Sequence, residues 1–345
     1  MRKINLMIAV AAGMLLTISC NKENLKPSES YLSQSSLMTK SYEQKSPKMI
    51  VYVETNDVNP LNALDYKMSN QTFIDVVNLF AANIHKVNNE PVLTLNDKLS
   101  PILENDGVAT YVEPLQNSGI KVLLTILGDH QKLGVANMNA IQQKQFVNEL
   151  LYAYYKYGLD GLDFDDEYAD YPLFSNVSTS YSNIITLLRD KLPQEALISV
   201  FDWGKTNQLN SAALNAIDHA AHGYFQSWKS NGESRISGMP VSKWSPMSWN
   251  LGVGVDNNLT DVESYARDAK NGGYGSMMCF NLRTLSERSS LPEFQAISKG
   301  AYSNASVTCN GGNRARANAG TWFNIDPAMA KAWLIQNNYP YYDVQ

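Results

Sequence analysis

Histidine, cysteine and basic charge are scarce in this chain of 345 residues, and each shortage excludes something. Four histidines and three cysteines, with no C-x-x-C or H-x-x-x-H spacing, give no support to a metal site of the zinc type. Cys20 closes a leader, so only Cys279 and Cys309 remain. A chain of this length has core enough to do without a disulfide, and free thiols are expected, with Cys279 in an inner strand and Cys309 in a Gly/Asn-rich loop. The formal charge is −5, and removing residues 1–20, which hold Arg2 and Lys3 but no acid, leaves −7. Nucleic acid and anionic membrane are therefore poor partners. The apolar run from Ile4 to Ile18 falls short of the ~20 residues that a membrane span needs.

That run, preceded by Arg2-Lys3 and followed by Ser19-Cys20, reads as a bacterial lipoprotein signal peptide over residues 1–20. Cleavage before Cys20 leaves a lipidated N-terminus that anchors the protein in the cell envelope. Thr17 stands where such cleavage boxes usually carry Leu, so release as a soluble secreted protein stays open. Residues 21–47 are Ser- and Gln-rich without an apolar period, a flexible tether. Residues 48–345 have the composition of a globular protein, 44% hydrophobic, 18% charged and 10% aromatic over the whole chain.

From Met49 onward short apolar segments alternate with helical ones, the pattern of a parallel sheet with crossovers. The strands are expected at 49–54, 74–80, 120–127, 161–165, 197–201, 221–226, 247–251 and 275–281. Helical spacing runs through 139–157 and stops at Gly158. Ser182 to Leu192 gives a second helix, and Thr260-Asp-Val-Glu263 reads as a capping box opening another that stops near Gly272. Eight strands so interleaved argue for an α/β fold, a (β/α)8 TIM barrel, with irregular or missing helices around strands five to seven. Pro327 to Gln336 reads as a further helix, and the Tyr-rich tail after it is expected to pack on the barrel floor.

The fourth strand carries the chemistry. Asp160-Gly-Leu-Asp163-Phe-Asp165-Asp166-Glu167 places five carboxylates in eight residues. If the stretch is extended, Asp163, Asp165 and Glu167 project to one side. Three like charges so close cannot all ionise cheaply, so one carboxyl should stay protonated near neutral pH, as a general acid must. A calcium loop fits poorly, because Tyr168 stands where its sharp turn needs Gly and Phe174 where its last Glu should be. A solvated acidic turn would have no use for Leu159, Leu162 and Phe164 interleaved as in a strand.

This segment matches the D-G-x-D-x-D-x-E signature of glycoside hydrolase family 18, and its extension through Tyr168-Ala169 resembles the endo H and endo F type of endo-β-N-acetylglucosaminidase. Leu127-Gly128-Asp129-His130-Gln131 is similar to what those enzymes carry after their third strand. The resemblance covers Lys48 to about Arg283. It implies catalysis by Glu167, Asp165 and Asp163, with Glu167 protonating the glycosidic oxygen and Asp165 orienting the substrate's 2-acetamido group. That group's carbonyl then attacks the anomeric carbon to give an oxazolinium ion, and Asp163 adjusts the charge of Asp165 by sharing a proton. No cofactor and no metal are required.

In a barrel, functional residues sit at the C-terminal ends of the strands. The candidates for substrate binding are Tyr224 and Gln226, aimed inward by alternation in the sixth strand, with His130, Trp249 and Asn281. Asp160 joins them by holding the strand's backbone geometry. Trp203 and Trp249 as mere caps of the barrel, and His130 as a hydrogen-bonded loop residue, remain open. The substrate that the resemblance implies is the β-1,4 bond in the di-N-acetylchitobiose core of N-linked glycans or glycoproteins. A chitinase is the enzymatic alternative, and a non-catalytic glycan-binding surface lipoprotein is the other. The protein is expected to be a monomer that meets a membrane only through its lipid.

Overall fold

A computed structural model describes residues 45–344 except 174, 176, 253–257, 284–288, 304, 312 and 313. The leader, Cys20 and the tether up to residue 44 lie outside the described residues. A compact unit runs from Tyr42 to Gln345. Its sheet begins with Lys48–Glu54, which pairs in parallel with Val76–Val87 on one side and Ser276–Phe280 on the other. Parallel pairing continues through Lys121–Leu127, Gly161–Asp165, Leu197–Asp202 and His219–His222.

The ring closes through a broken strand. Trp244–Ser245 pairs with the sixth strand, and Met247–Asn250 pairs with the eighth. Between them stands Pro246, which has no N–H to give to a ladder, so the seventh strand serves one neighbour before the break and the other after it. The fold is the expected (β/α)8 barrel.

The strands are Val-, Ile- and Leu-rich because both faces are buried. Alternation separates two cores. Met49, Val51, Val53, Leu124, Leu162 and Val200 face the helices, whereas Ile50, Tyr52, Leu123, Phe201 and Met278 fill the barrel. The helices Ala140–Lys156, Ser180–Lys191, Leu259–Asn271 and Leu291–Ala301 lie outside. Between the fifth and sixth strands the longest helix is the six-residue Ser211–Ala216, and between the sixth and seventh only single 3-10 turns occur. This is the irregular side expected from sequence.

Several boundaries differ from expectation. The second strand runs on past Phe80 to Val87 and returns antiparallel as Glu90–Leu95. Asn88 and Asn89, with φ of 51° and 66°, make the two-residue turn. The helix at 259 is capped by Asn258, whose side chain accepts from Thr260 N, so Thr260 lies inside it. Cys309 belongs to the short strand Val307–Cys309, and both it and the buried Cys279 are free.

The chain's tail packs on the helix ring and not on the barrel floor. Phe323–Ile325 adds antiparallel to Glu90–Leu95. Trp333 of the helix Pro327–Gln336 meets Tyr152 at 5.0 Å, and Tyr339 stacks on Tyr155 at 4.1 Å. Residues 45–47, read as tether, are fastened down. The Lys45 ammonium pairs with Asp75 at 2.8 Å over the Phe73 ring, and Tyr302 Oη donates to the Pro47 carbonyl.

Candidate active site

The fourth strand, Gly161–Asp165, is buried along its whole length. Its register with its neighbours decides what each acid meets. Asp163 lies beside Thr125 of the third strand and Ser199 of the fifth, whereas Asp165 lies beside Leu127 and Phe201. Gly161 is required below them, since a Cβ there would fall 2.2 Å from the Leu197 carbonyl oxygen.

Asp163 is fully buried and surrounded by hydroxyl donors. Tyr52 Oη donates to its Oδ1 at 3.0 Å, Thr125 Oγ1 to its Oδ2 at 2.9 Å, and the Ser199 hydroxyl to Oδ1 as well. Burial raises its pKa, and the three donors, which favour the anion, hold the rise to about 6. No hydrogen bond to Asp165 stands among these contacts.

Asp165 has no such support. Its Oδ1 is buried without a hydrogen-bond partner among the described residues. Burial first, then the neighbouring Glu167, Asp163 and Asp166, push its pKa well above the carboxylate range. Glu167 stands higher, half-buried at the mouth, with its pKa raised by burial. The Gly128 N–H donates to the Glu167 carbonyl at 3.1 Å, and a Cβ on Gly128 would come within 2.4 Å of that oxygen. The glycine lets the loop after the third strand press against the acid's backbone.

Asp166 points the other way. It accepts from the Tyr171 hydroxyl and from Lys205 N at 2.8 Å, and burial raises its pKa to about 7.

Above the acids opens a cavity of about 360 Å³. Asp165, Glu167 and Tyr168 line it together with Tyr52, Glu54, Phe80, Phe201, Phe225 and Phe280. Phe225 stacks on Phe280 at 5.3 Å, and Phe80 meets Phe280 edge-on at 5.4 Å. Such a cleft offers apolar faces with a few convergent polar groups, the make-up of a small-ligand site.

Three of the expected acids thus gather in one column, but the candidate binding residues scatter. The sixth strand ends at His222, so alternation no longer governs residues 223–226. Phe225 enters the cavity lining, while Tyr224 is half exposed against Trp203 and Gln226 donates its amide to the Asn250 carbonyl at 2.7 Å. Trp249 is buried, edge-on to Tyr265 of an outer helix, and lies outside the cleft. Asp160 sits at the opposite end of its strand from the cavity, where it accepts from Val122 N and Gln116 at 2.9 Å and pairs with Lys121. It holds backbone geometry and lies outside the cavity lining.

His130, at a φ of 54°, is a loop residue pinned 2.9 Å from Asp170 and tilted against Tyr168. Asn281 follows Phe280 at the mouth. Its N–H donates to the Tyr52 carbonyl, and its Oδ1 is buried without a partner among the described residues.

Tyr52, Thr125, Ser199 and Glu54 escaped the reading by motif. A signal for them existed, since Thr125 and Ser199 are lone hydroxyls in apolar strands. Tyr52 and Glu54 stand on the inward parity of Met49-Ile-Val-Tyr-Val-Glu54. Among the described residues no cluster of His, Cys, Asp and Glu is arranged to hold a metal ion.

Known proteins resemble this chain in sequence and in fold. An endo-β-N-acetylglucosaminidase from Flavobacterium sp. (strain SK1022) is 34% identical over 249 residues, covering 69% of this chain and 76% of that protein. The chain belongs to the endo-β-N-acetylglucosaminidase family. Endo-β-N-acetylglucosaminidase F1 of Elizabethkingia meningoseptica is 36% identical over 191 residues, 51% of this chain and 56% of that relative. EndoBT-3987 of Bacteroides thetaiotamicron, solved with a Man5GlcNAc product, superposes with a TM-score of 0.66 at 26% identity, over 80% of this chain and 66% of that one. No protein-family model matches the chain. The family's barrel, within glycoside hydrolase family 18, is thus the frame on which these acids stand.

Proposed function

We propose that the protein hydrolyses the β-1,4 bond within the di-N-acetylchitobiose core of N-glycans, with retention, using the substrate's own acetamido group as nucleophile. The observation that carries this reading is the contrast between the two aspartates. Asp163 has its acceptor sites filled by hydroxyls, while Asp165 presents a buried, unpartnered oxygen between Leu127 and Phe201. An acetamido N–H entering the cavity would satisfy that oxygen, and burial without a partner is otherwise costly.

In this mechanism Glu167 protonates the departing glycosidic oxygen, and burial, by raising its pKa, favours the protonated form that this step needs. The acetamido carbonyl oxygen attacks the anomeric carbon as the C–O bond breaks, which gives an oxazolinium ion. Asp165 accepts the N–H and so orients the acetamido group for attack. Water then adds at the anomeric carbon, with Glu167 taking its proton, and the ring opens with retention; substrate assistance of this kind is an alternative to a protein nucleophile. The apolar rings around the acids keep bulk water from the ion.

The substrate is supported by the relatives, one of which holds a Man5GlcNAc product. Export and lipidation at Cys20 rest on the leader's basic start, apolar run and Ser19-Cys20 end. A purified high-mannose glycoprotein incubated with the enzyme should migrate faster on a gel and keep one N-acetylglucosamine at each site. An unchanged glycoprotein would overturn the reading. Asp165→Asn should retain transfer from a preformed sugar oxazoline while losing hydrolysis of the intact glycan. Equal loss of both would count against substrate assistance.

A further inference from the structure

Trp322 is the most exposed of the large aromatic side chains among the described residues, at 57%. It is nevertheless held firmly. Its ring stacks on His85 with centroids 5.7 Å apart and 29° between the planes. His85 Nε2 in turn lies 2.8 Å from the Asp129 carboxylate. The backbone on either side is pinned, since the Ser100 hydroxyl donates to the Thr321 carbonyl at 2.5 Å and Phe323 is the first residue paired with Glu90–Leu95. An indole kept rigid with one face in water contributes little to the core, and its immobilisation calls for a partner from outside.

Its position relative to the cavity is set by two paths of chain connections and hydrogen bonds. Asp129 follows Leu127, which lines the cavity, by two residues. Gln131 of the same loop accepts from Lys86 N at 2.7 Å and fastens the hairpin that carries His85. On the other side Asn56, also in the cavity wall, accepts from Asn96 at 3.3 Å, and the neighbouring Asp97 carbonyl takes the Gly320 N–H at 2.7 Å. Trp322 therefore belongs to a wall that rises from the rim of the cleft.

We propose that Trp322, seated on His85 with Asp129 beside it, forms a second sugar subsite that stacks a hexopyranose of the glycan antenna outside the catalytic cavity. The C–H face of a hexopyranose is flat and apolar and matches an indole face. The half-exposed Asp129 carboxylate supplies an acceptor for hydroxyls at its edge. The cavity of about 360 Å³ holds only the sugars next to the scissile bond, so an antenna must run out over the rim. This inference rests on the N-glycan reading above and names the part of the glycan that the cavity does not hold.

The test compares Trp322→Ala with the wild type on a Man5GlcNAc2 asparagine substrate and on one trimmed to a single mannose. The ratio of the two kcat/KM values should fall about tenfold, about 1.4 kcal/mol, through KM on the longer substrate. Trp322→Phe, which keeps a ring, should recover most of it. An equal effect on both substrates, or none on the longer, would overturn the subsite. Should the wild type cleave neither substrate, the catalytic reading fails on its own. Calorimetric binding of the Man5GlcNAc product to Glu167→Gln, with and without Trp322→Ala, then decides the subsite: weaker or lost binding in the double variant supports it, and equal binding in the two, or no binding to Glu167→Gln itself, overturns it.

Discussion

Asp163 has Thr125 and Ser199 for register neighbours, and Asp165 has Leu127 and Phe201. Two carboxyls two residues apart in one strand therefore differ in what they can bind, because the adjoining strands offer hydroxyls at one level and apolar side chains at the next. Thr125→Val removes one donor to the Asp163 anion at constant shape, so its pKa should climb above about 6. Since the anionic form is the one disfavoured, the acidic limb of the kcat profile should move to higher pH. A pH–rate series on a glycoprotein checks it, and an unshifted limb would detach Asp163 from the titration. Glu167→Gln keeps the shape and removes the proton donor, so kcat should drop by about 10²–10⁴ with glycan binding largely kept. A rate near that of the wild type would assign the acid elsewhere.

The hairpin Val76–Val87 with Glu90–Leu95 carries Phe80 into the cavity lining and His85 against Trp322. It rests on Glu149 of the helix Ala140–Lys156, a fully buried carboxyl that accepts from Leu93 N at 2.6 Å. Burial pushes its pKa well above the usual carboxylate range. Above the unfolded value near 4.3, the native state keeps a proton that the unfolded chain has lost. Stability therefore falls as pH rises toward the folded pKa. Glu149→Gln preserves the acceptor and removes the ionisation, so the fall in Tm between pH 5 and pH 8 should be shallower than in the wild type. Parallel Tm curves would show that Glu149 does not titrate in this range.

Across the whole molecule, the tail belts the helix ring. Leu334 is fully buried, next in sequence to the Trp333 that stacks on Tyr339, and Leu334→Ala should cost about 2–5 kcal/mol, read by denaturant unfolding. Loss of less than about 1 kcal/mol would mean that the tail contributes little to the barrel. At the other end Cys20 is the proposed lipid site. Cys20→Ser should turn a membrane-bound protein into one recovered in the soluble fraction. If the wild type is already soluble and free of lipid, the anchor is absent.

The barrel and its acid column were legible in the sequence, because a strand's period of two and a helix's period of 3.6 are local properties of the chain. Leu162 and Phe164 alternating with Asp163 and Asp165 are enough to put the acids on one face. What stands beside those acids was not legible. Thr125, Ser199 and Tyr52 reach Asp163 from three other strands, and that meeting depends on register across the barrel. The sixth strand shows the same limit. Its apolar stretch continues past His222, but the chain leaves the sheet there, and Phe225 enters the cavity where alternation pointed to Tyr224 and Gln226. Trp322 is the clearest case, an indole 237 residues from the His85 that supports it. Local patterns in the sequence determined which elements form and which way each strand faces. Contacts between residues far apart in the chain were decided by the closure of the barrel and the packing of the tail, where distant segments compete for the same buried surface.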